Sequence, residues 1–351
     1  MLLFLLIMAT SILFVPGITA ERAKQSAWIA AIFASLAGFV SLGIVSKLGQ
    51  RFPQHTLPQY SEILLGMTLG KIVGGAYAIY FLAVNILVIR EFSEFLTNTL
   101  MPGTPGVVFS AIIVLIGAYA ASKGIEVITR MAQFVLPLFV VSLVVLLGLA
   151  APNMELGKLQ PFLEGGVLPI IWGSVVPASM YGEIVVLVIL LPMVNKPQEI
   201  KRKGALTLLA AVFFLTADTL IILTIFGPYL TGDLLFPFWY LAKFIEFGNY
   251  LQRMESLIVL LWVVGIVIKV DIFYYLICFT TAQVLNLKGY KSVVYPLALV
   301  QILAATFLFK NTLELSKFLS QNWPLFGLLF EVGLPLILLT VAVIRGKGAK
   351  E

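Results

Sequence analysis

The chain has 351 residues, of which 60% are hydrophobic and only 11% charged, with a mean hydropathy of +1.04. That composition excludes a soluble globular domain and points to a polytopic membrane protein. One cysteine and one histidine leave no ligand set for a metal or a disulfide framework, so no cofactor is expected. The net charge of +6 belongs to the loops, and nucleic-acid binding is not read from it.

Cutting at polar clusters and Pro/Gly turns gives ten hydrophobic segments, near residues 1–19, 27–47, 72–97, 105–122, 129–151, 165–194, 203–228, 253–286, 291–310 and 323–344. The predicted fold is all-α and integral to the membrane, with ten transmembrane helices. No stretch outside the membrane is long enough to be a domain, so residues 1–351 form one transmembrane unit.

Segment one carries polar Thr10-Ser11 and then Pro16-Gly17, which predicts a break over Met8, Ala9, Thr10 and Ser11. A signal peptide cut after Ala20 is the competing reading, but a basic leading region is lacking. Only about seven residues precede Thr10, too few to reach the inner surface from mid-membrane at about 1.5 Å per residue, which points to a start upstream of Met1. After segment two, His55 sits in a loop without an evident partner. Residues 56–71 read equally as an interfacial helix or an ordinary loop.

Segment three holds Asn85 at mid-length, facing either a cavity or a neighbouring helix. Arg90, Glu91 and Glu94 lie toward its outer end, as a gating network or a snorkelling rim. Segment six, GGVLPIIWGSVVPASMYGEIVVLVILLPMV, is longer than one crossing needs and places Pro177, Ser179, Gly182 and Glu183 near its middle. A carboxylate at that depth faces protein or water rather than lipid. Pro and Gly beside it predict a helix break lining a cavity. Interrupted segments one and six are the sequence signature of a transporter-type binding site.

Segment seven contains Asp218, read as a helix–helix hydrogen-bonding group, as is Glu331 in segment ten. Residues 236–252 are amphipathic and aromatic and suit an interfacial helix on the outer side. In segment eight, Glu255, Trp262 and Lys269 share a stripe at spacings of seven. Glu255 and Lys269 are about 21 Å apart along a helix, so Glu255 does not neutralise the lysine. Lys269 is either a built-in cation or the partner of an acid on another helix, while Asp271 points to a different face. Cys278 packs in an apolar run. Loop basic residues number fourteen on one side and seven on the other, which puts both termini in the cytoplasm.

The stretch SILFVPGITAERAKQSAWIAAIF, then LQPFLEGGVLP at 159–169, G-E followed by an apolar run and Pro at 182–192, and FPFWYLAKFIEFGNYLQRMESLIVLLW at 236–262 resemble the spore-germination B-subunit family, the GerAB-type permeases. The R-x-E-S of Arg253 to Ser256 and the following Trp262 carry most of the specificity. The resemblance covers essentially the whole chain. It implies membership of the amino acid–polyamine–organocation superfamily and a LeuT-like 5+5 inverted repeat, about 1–151 and 165–344, with discontinuous helices 1 and 6. It also implies a germinant sensor in the spore inner membrane, working with A and C subunits and taking a small molecule, an amino acid first of all. The sequence departs from such permeases in reading MATS at 8–11 where they carry glycine.

Unwound helix ends offer backbone N–H groups to a ligand carboxylate and carbonyls to an ammonium. The candidate ligand-binding residues are therefore Ala9, Thr10, Ser11, Asn85, Pro177, Ser179, Met180, Tyr181, Gly182, Glu183 and Trp262. Lys269, Asp271, Arg90 and Glu94 are candidates for coupling or gating. Glu183 meets a ligand amine, holds a proton, or pairs with a basic residue, and Trp262 either lids a pocket or packs. A sensor ranks ahead of a proton-coupled amino acid permease on the resemblance alone. A membrane enzyme is disfavoured, because one histidine and no metal cluster leave little to build a catalytic site.

Overall fold

Apolar runs of 18 residues and more can cross a bilayer only as helices, because lipid offers backbone groups no hydrogen bonds. The computed structural model describes residues 1–161, 163–245 and 254–348, and there it is helical with no strand. Arg253 lies outside the described residues, as do the side chains of Glu255 and Ser256. The helices are α1 (Leu2–Ala23), α2 (Ala27–Arg51), α3 (Leu57–Leu65), α4 (Met67–Thr99), α5 (Gly106–Lys123), α6 (Ile125–Ala150), α7 (Leu168–Gly182) and α8 (Leu187–Leu190). They continue with α9 (Ile200–Phe226), α10 (Pro228–Asp233), α11 (Pro237–Phe244), α12 (Met254–Val284), α13 (Val294–Phe307), α14 (Thr312–Lys317), α15 (Trp323–Leu328) and α16 (Leu334–Ile344).

Among the described residues nine spans are long and apolar enough to cross a membrane. The first, Leu2–Arg51, is 50 residues long, or about 75 Å as helix against a hydrocarbon core of about 30 Å. It holds both α1 and α2, with Lys24 at φ 48° between them. The last span runs from Thr312 to Ile344 and begins well before the apolar segment at 323–344. The 56–71 stretch forms α3, started by a reciprocal cap between Thr56 and Gln59. Of the aromatic stretch at 236–252, Pro237–Phe244 is helical, and 246–252 lie outside the described residues.

Two groups of helices organise the packing. One brings together α1, α2, α7 and α9, and the other α4, α5, α12 and α13, while α1 against α12 joins them. With lipid on the outside, close contact rather than hydrophobicity holds such helices together. Gly38 on α2 shows how: a Cβ there would stand 2.8 Å from the Cβ of Tyr181 on α7.

The break expected in segment one needs correction, and the one in segment six takes a milder form. Helix α1 runs unbroken through Met8–Ser11, with Pro16 inside it. The Ser11 hydroxyl donates to the Ile7 carbonyl at 2.5 Å, so its polar group is satisfied within the helix and opens nothing. In segment six the α-helix is interrupted where expected, but by a tighter turn rather than by an unwound stretch. The chain passes from α7 into a 3-10 turn, Glu183–Val186, with Glu183 at φ −55° and ψ −11°, and then into α8. Further irregularity appears in the last span, as π turns at Phe318–Asn322 and Leu329–Gly333. Such wide turns leave carbonyls available to other partners. Ser320 O accepts from Arg22 Nη2 at 2.7 Å, Phe330 O from Tyr77 Oη at 2.7 Å, and Glu331 O from Ser41 Oγ at 2.8 Å.

Candidate functional site

Lys269 projects from the middle of α12 and is fully buried, at 0% exposure. An ammonium has three donors, and all three are engaged. They reach Glu183 Oε1 at 2.7 Å, Glu183 Oε2 at 2.8 Å and Thr10 Oγ1 at 2.8 Å. The Thr10 hydroxyl in turn points at Met180 Sδ, 3.9 Å away. Two turns earlier on α12, Trp262 Nε1 donates to the Ala9 carbonyl at 2.6 Å, with its ring against Phe92 and Phe95. One helix of the second group thus grips α1 at Ala9 and Thr10 and the 3-10 turn at Glu183. Of the readings open for Glu183 and Lys269, the structure selects their mutual pairing. Trp262 is buried and hydrogen-bonded to α1.

A second polar cluster backs the first. Glu331, in the second π turn, accepts from Tyr80 Oη at 2.8 Å. A Cβ on Gly182 would lie 2.7 Å from the Glu331 Cδ, so a glycine at 182 is what lets the carboxyl lie against the backbone next to Glu183. Tyr80 stacks on Phe330, ring centroids 4.9 Å apart, and on Trp323.

Between α1, α4, α7 and the first π turn lies a cavity of about 10 Å³, room for about one water molecule. Thr10, Met180, Glu183 and Lys269 line one side, and Val84, Leu87, Val88 and Glu91 of α4 the other. Leu319 and Trp323 complete it, and Leu319 also lines a separate cavity shared by Phe14, Glu21, Glu94 and Asp233. That single side chain borders both spaces.

The remaining sequence candidates distribute around this centre. Asn85 faces a neighbouring helix, donating to Gln301 Oε1 of α13 at 2.6 Å. Ser179 Oγ bonds the Val176 carbonyl in its own helix at 2.8 Å. Pro177 and Tyr181 are buried in α7, Tyr181 against Gly38. Asp271 is buried beside Gly117 of α5, both carboxylate oxygens without a partner among the described residues. Asp218 is likewise buried with neither oxygen bonded among them. Arg90 and Glu94 form an ion pair at 2.5 Å. Arg90 also donates to the Ala305 and Thr306 carbonyls, each at 3.1 Å, and Glu94 accepts from Thr312. That pair ties α4 to α13 and α14.

Glu91 is the site residue that sequence reasoning misplaced, by grouping it with its chain neighbours Arg90 and Glu94. The signal was present. Val84, Leu87, Val88 and Glu91 stand at i, i+3, i+4 and i+7 and so share one helical face, whereas Arg90 lies about 100° away.

A multi-spanning helical protein with a buried ion pair and a small cavity lined by charged and apolar side chains at the junction of two helix groups has the build of a membrane permease. The chain belongs to the spore germination protein family, whose profile matches residues 1–314, and that membership supports a germination-receptor or permease-like role. It is 25% identical over 350 residues to spore germination protein KB of Bacillus subtilis (strain 168), covering 97% of this chain and 92% of that one. Spore germination protein YndE of the same strain is 21% identical over 345 residues, covering 98% and 94%. Spore germination protein XB of Bacillus anthracis is 20% identical over 258 residues, covering 73% and 72%.

Proposed function

We propose that the chain is the small-molecule-sensing subunit of a germinant receptor. It binds its germinant, an amino acid first of all, at the central cavity and passes the change to A and C partner subunits. It works in the spore inner membrane with both termini in the cytoplasm, crossing ten times as one domain built on a 5+5 inverted repeat. The order of the packing groups supports the repeat. Crossings one and two pack with six and seven, and three and four with eight and nine, so each group pairs helices five crossings apart.

The observation that carries the proposal is the Lys269 junction, which ties α12 to α1 and Glu183 with three hydrogen bonds. A ligand entering the adjoining cavity has to displace its walls, and its binding free energy biases how the two groups sit together. A proton-coupled amino acid permease would use the same elements, and the pair of cavities on either side of Leu319 favours that as the second reading. Thermal melting of the purified protein against amino acids, sugars and nucleosides tests for binding, because a ligand specific to the folded state raises the melting temperature. Uptake of a stabilising compound into sealed proteoliposomes separates the two readings: uptake supports the permease, and binding without uptake supports the sensor.

A further inference from the structure

Two carboxylates and one ammonium line the central cavity, and their hydrogen bonds are unevenly shared. Lys269 has no donor left after Glu183 and Thr10. Glu91, only 3% exposed, makes no hydrogen bond or ion pair among the described residues, while Arg90 next to it is committed to Glu94 on another face. A buried carboxylate without donors is strongly disfavoured unless something supplies them. The cavity therefore holds a carboxyl group facing its space, with acceptors open and no positive group free to meet it.

We infer that Glu91 is the residue that receives the ammonium group of a ligand in the central cavity. The ammonium brings three donors to the one lining carboxylate whose acceptors are all open, and Glu183 stays paired with Lys269. The apolar remainder of a small ligand meets Val84, Leu87 and Val88. This assignment rests on the proposed binding site and adds to it the residue that reads the ligand's ammonium. Carboxylate-only or uncharged ligands would leave Glu91 without a partner.

The test is thermal melting of the full-length detergent-purified protein and its Glu91→Gln and Glu91→Asp variants. Probes are L-alanine, L-leucine and isobutylamine, the N-acetyl forms of the two amino acids, D-glucose, inosine, and sodium and potassium chloride. The expected result is stabilisation of the wild type by an ammonium-bearing probe and none by its N-acetyl form. Glu91→Gln, melting near the wild type without probe, should bind that probe about tenfold to a hundredfold more weakly, and Glu91→Asp should restore part of the loss. Should Glu91→Gln not fold, the contrast between amine and N-acetyl probes in the wild type and in Glu91→Asp still decides. Equal stabilisation of wild type and Glu91→Gln by the amines overturns the inference. Stabilisation by glucose or inosine alone overturns it while leaving the binding site in place, and a response to alkali-metal salts alone does the same. No response to any probe overturns both the site and the inference.

Discussion

Replacing Lys269 with methionine keeps the length of the side chain but removes all three hydrogen bonds at the junction. Glu183, only 5% exposed, then has both oxygens without their donor, and Thr10 loses its link to α12. Breaking a buried ion pair by removing one partner costs about 3–5 kcal/mol, chiefly because the other charge stays buried and uncompensated. Glu183→Gln removes the other charge and leaves the ammonium unbalanced, so it should cost a similar amount. In the double variant Glu183→Gln/Lys269→Met no charge remains. The two losses should then fail to add, with a coupling of about 3 kcal/mol, above the usual error for independent sites. Membrane abundance and melting temperature in detergent are the readouts: both single variants are depleted and melt early, and the double variant recovers most of the difference. Single variants with normal abundance and melting, or a double variant as poor as the sum of the singles, would refute a structural pair at this junction.

The tight fit at Gly182 predicts that Gly182→Ala lowers stability by about 1–3 kcal/mol through overpacking, and that adding Glu331→Ala recovers part of it; a melting curve unchanged in Gly182→Ala would contradict the contact. Trp262→Phe keeps an aromatic ring but loses part of the indole and its bond to Ala9, so it should cost at least about 1 kcal/mol, read as a fall in melting temperature with abundance retained. The loop basic residues predict that a Lys201→Cys variant resists membrane-impermeant thiol reagents added outside intact cells, and ready labelling would reverse the proposed orientation.

Hydropathy made the helices legible, because a span needs a long apolar run whatever its neighbours are. The site was legible only in part. Glu183 and Lys269 stood out as charges at membrane depth, but they are 86 residues apart in sequence, and pairing across that distance is a matter of packing. Thr10 was found for the wrong reason. Polar residues in an apolar run suggested an opened helix, whereas Ser11 bonds its own helix and Thr10 meets Lys269. Glu91 was hidden by reading charges along the chain rather than around the helix. The π turns had no periodic signature, although Pro324, Gly327, Gly333 and Pro335 crowd that span. They matter because their carbonyls receive Arg22, Tyr77 and Ser41.

The central claim is that the ligand lodges between α1, α4 and the Glu183 turn. Its most direct test is thiol protection of Val88→Cys, a cavity-lining position, in a Cys278→Ala background. A compound that raises the melting temperature of the purified protein should slow modification of this cysteine by a small methanethiosulfonate, and should slow it half-maximally at the concentration that half-saturates the melting shift. Modification that proceeds at the same rate with the compound saturating would place the binding site elsewhere in the protein.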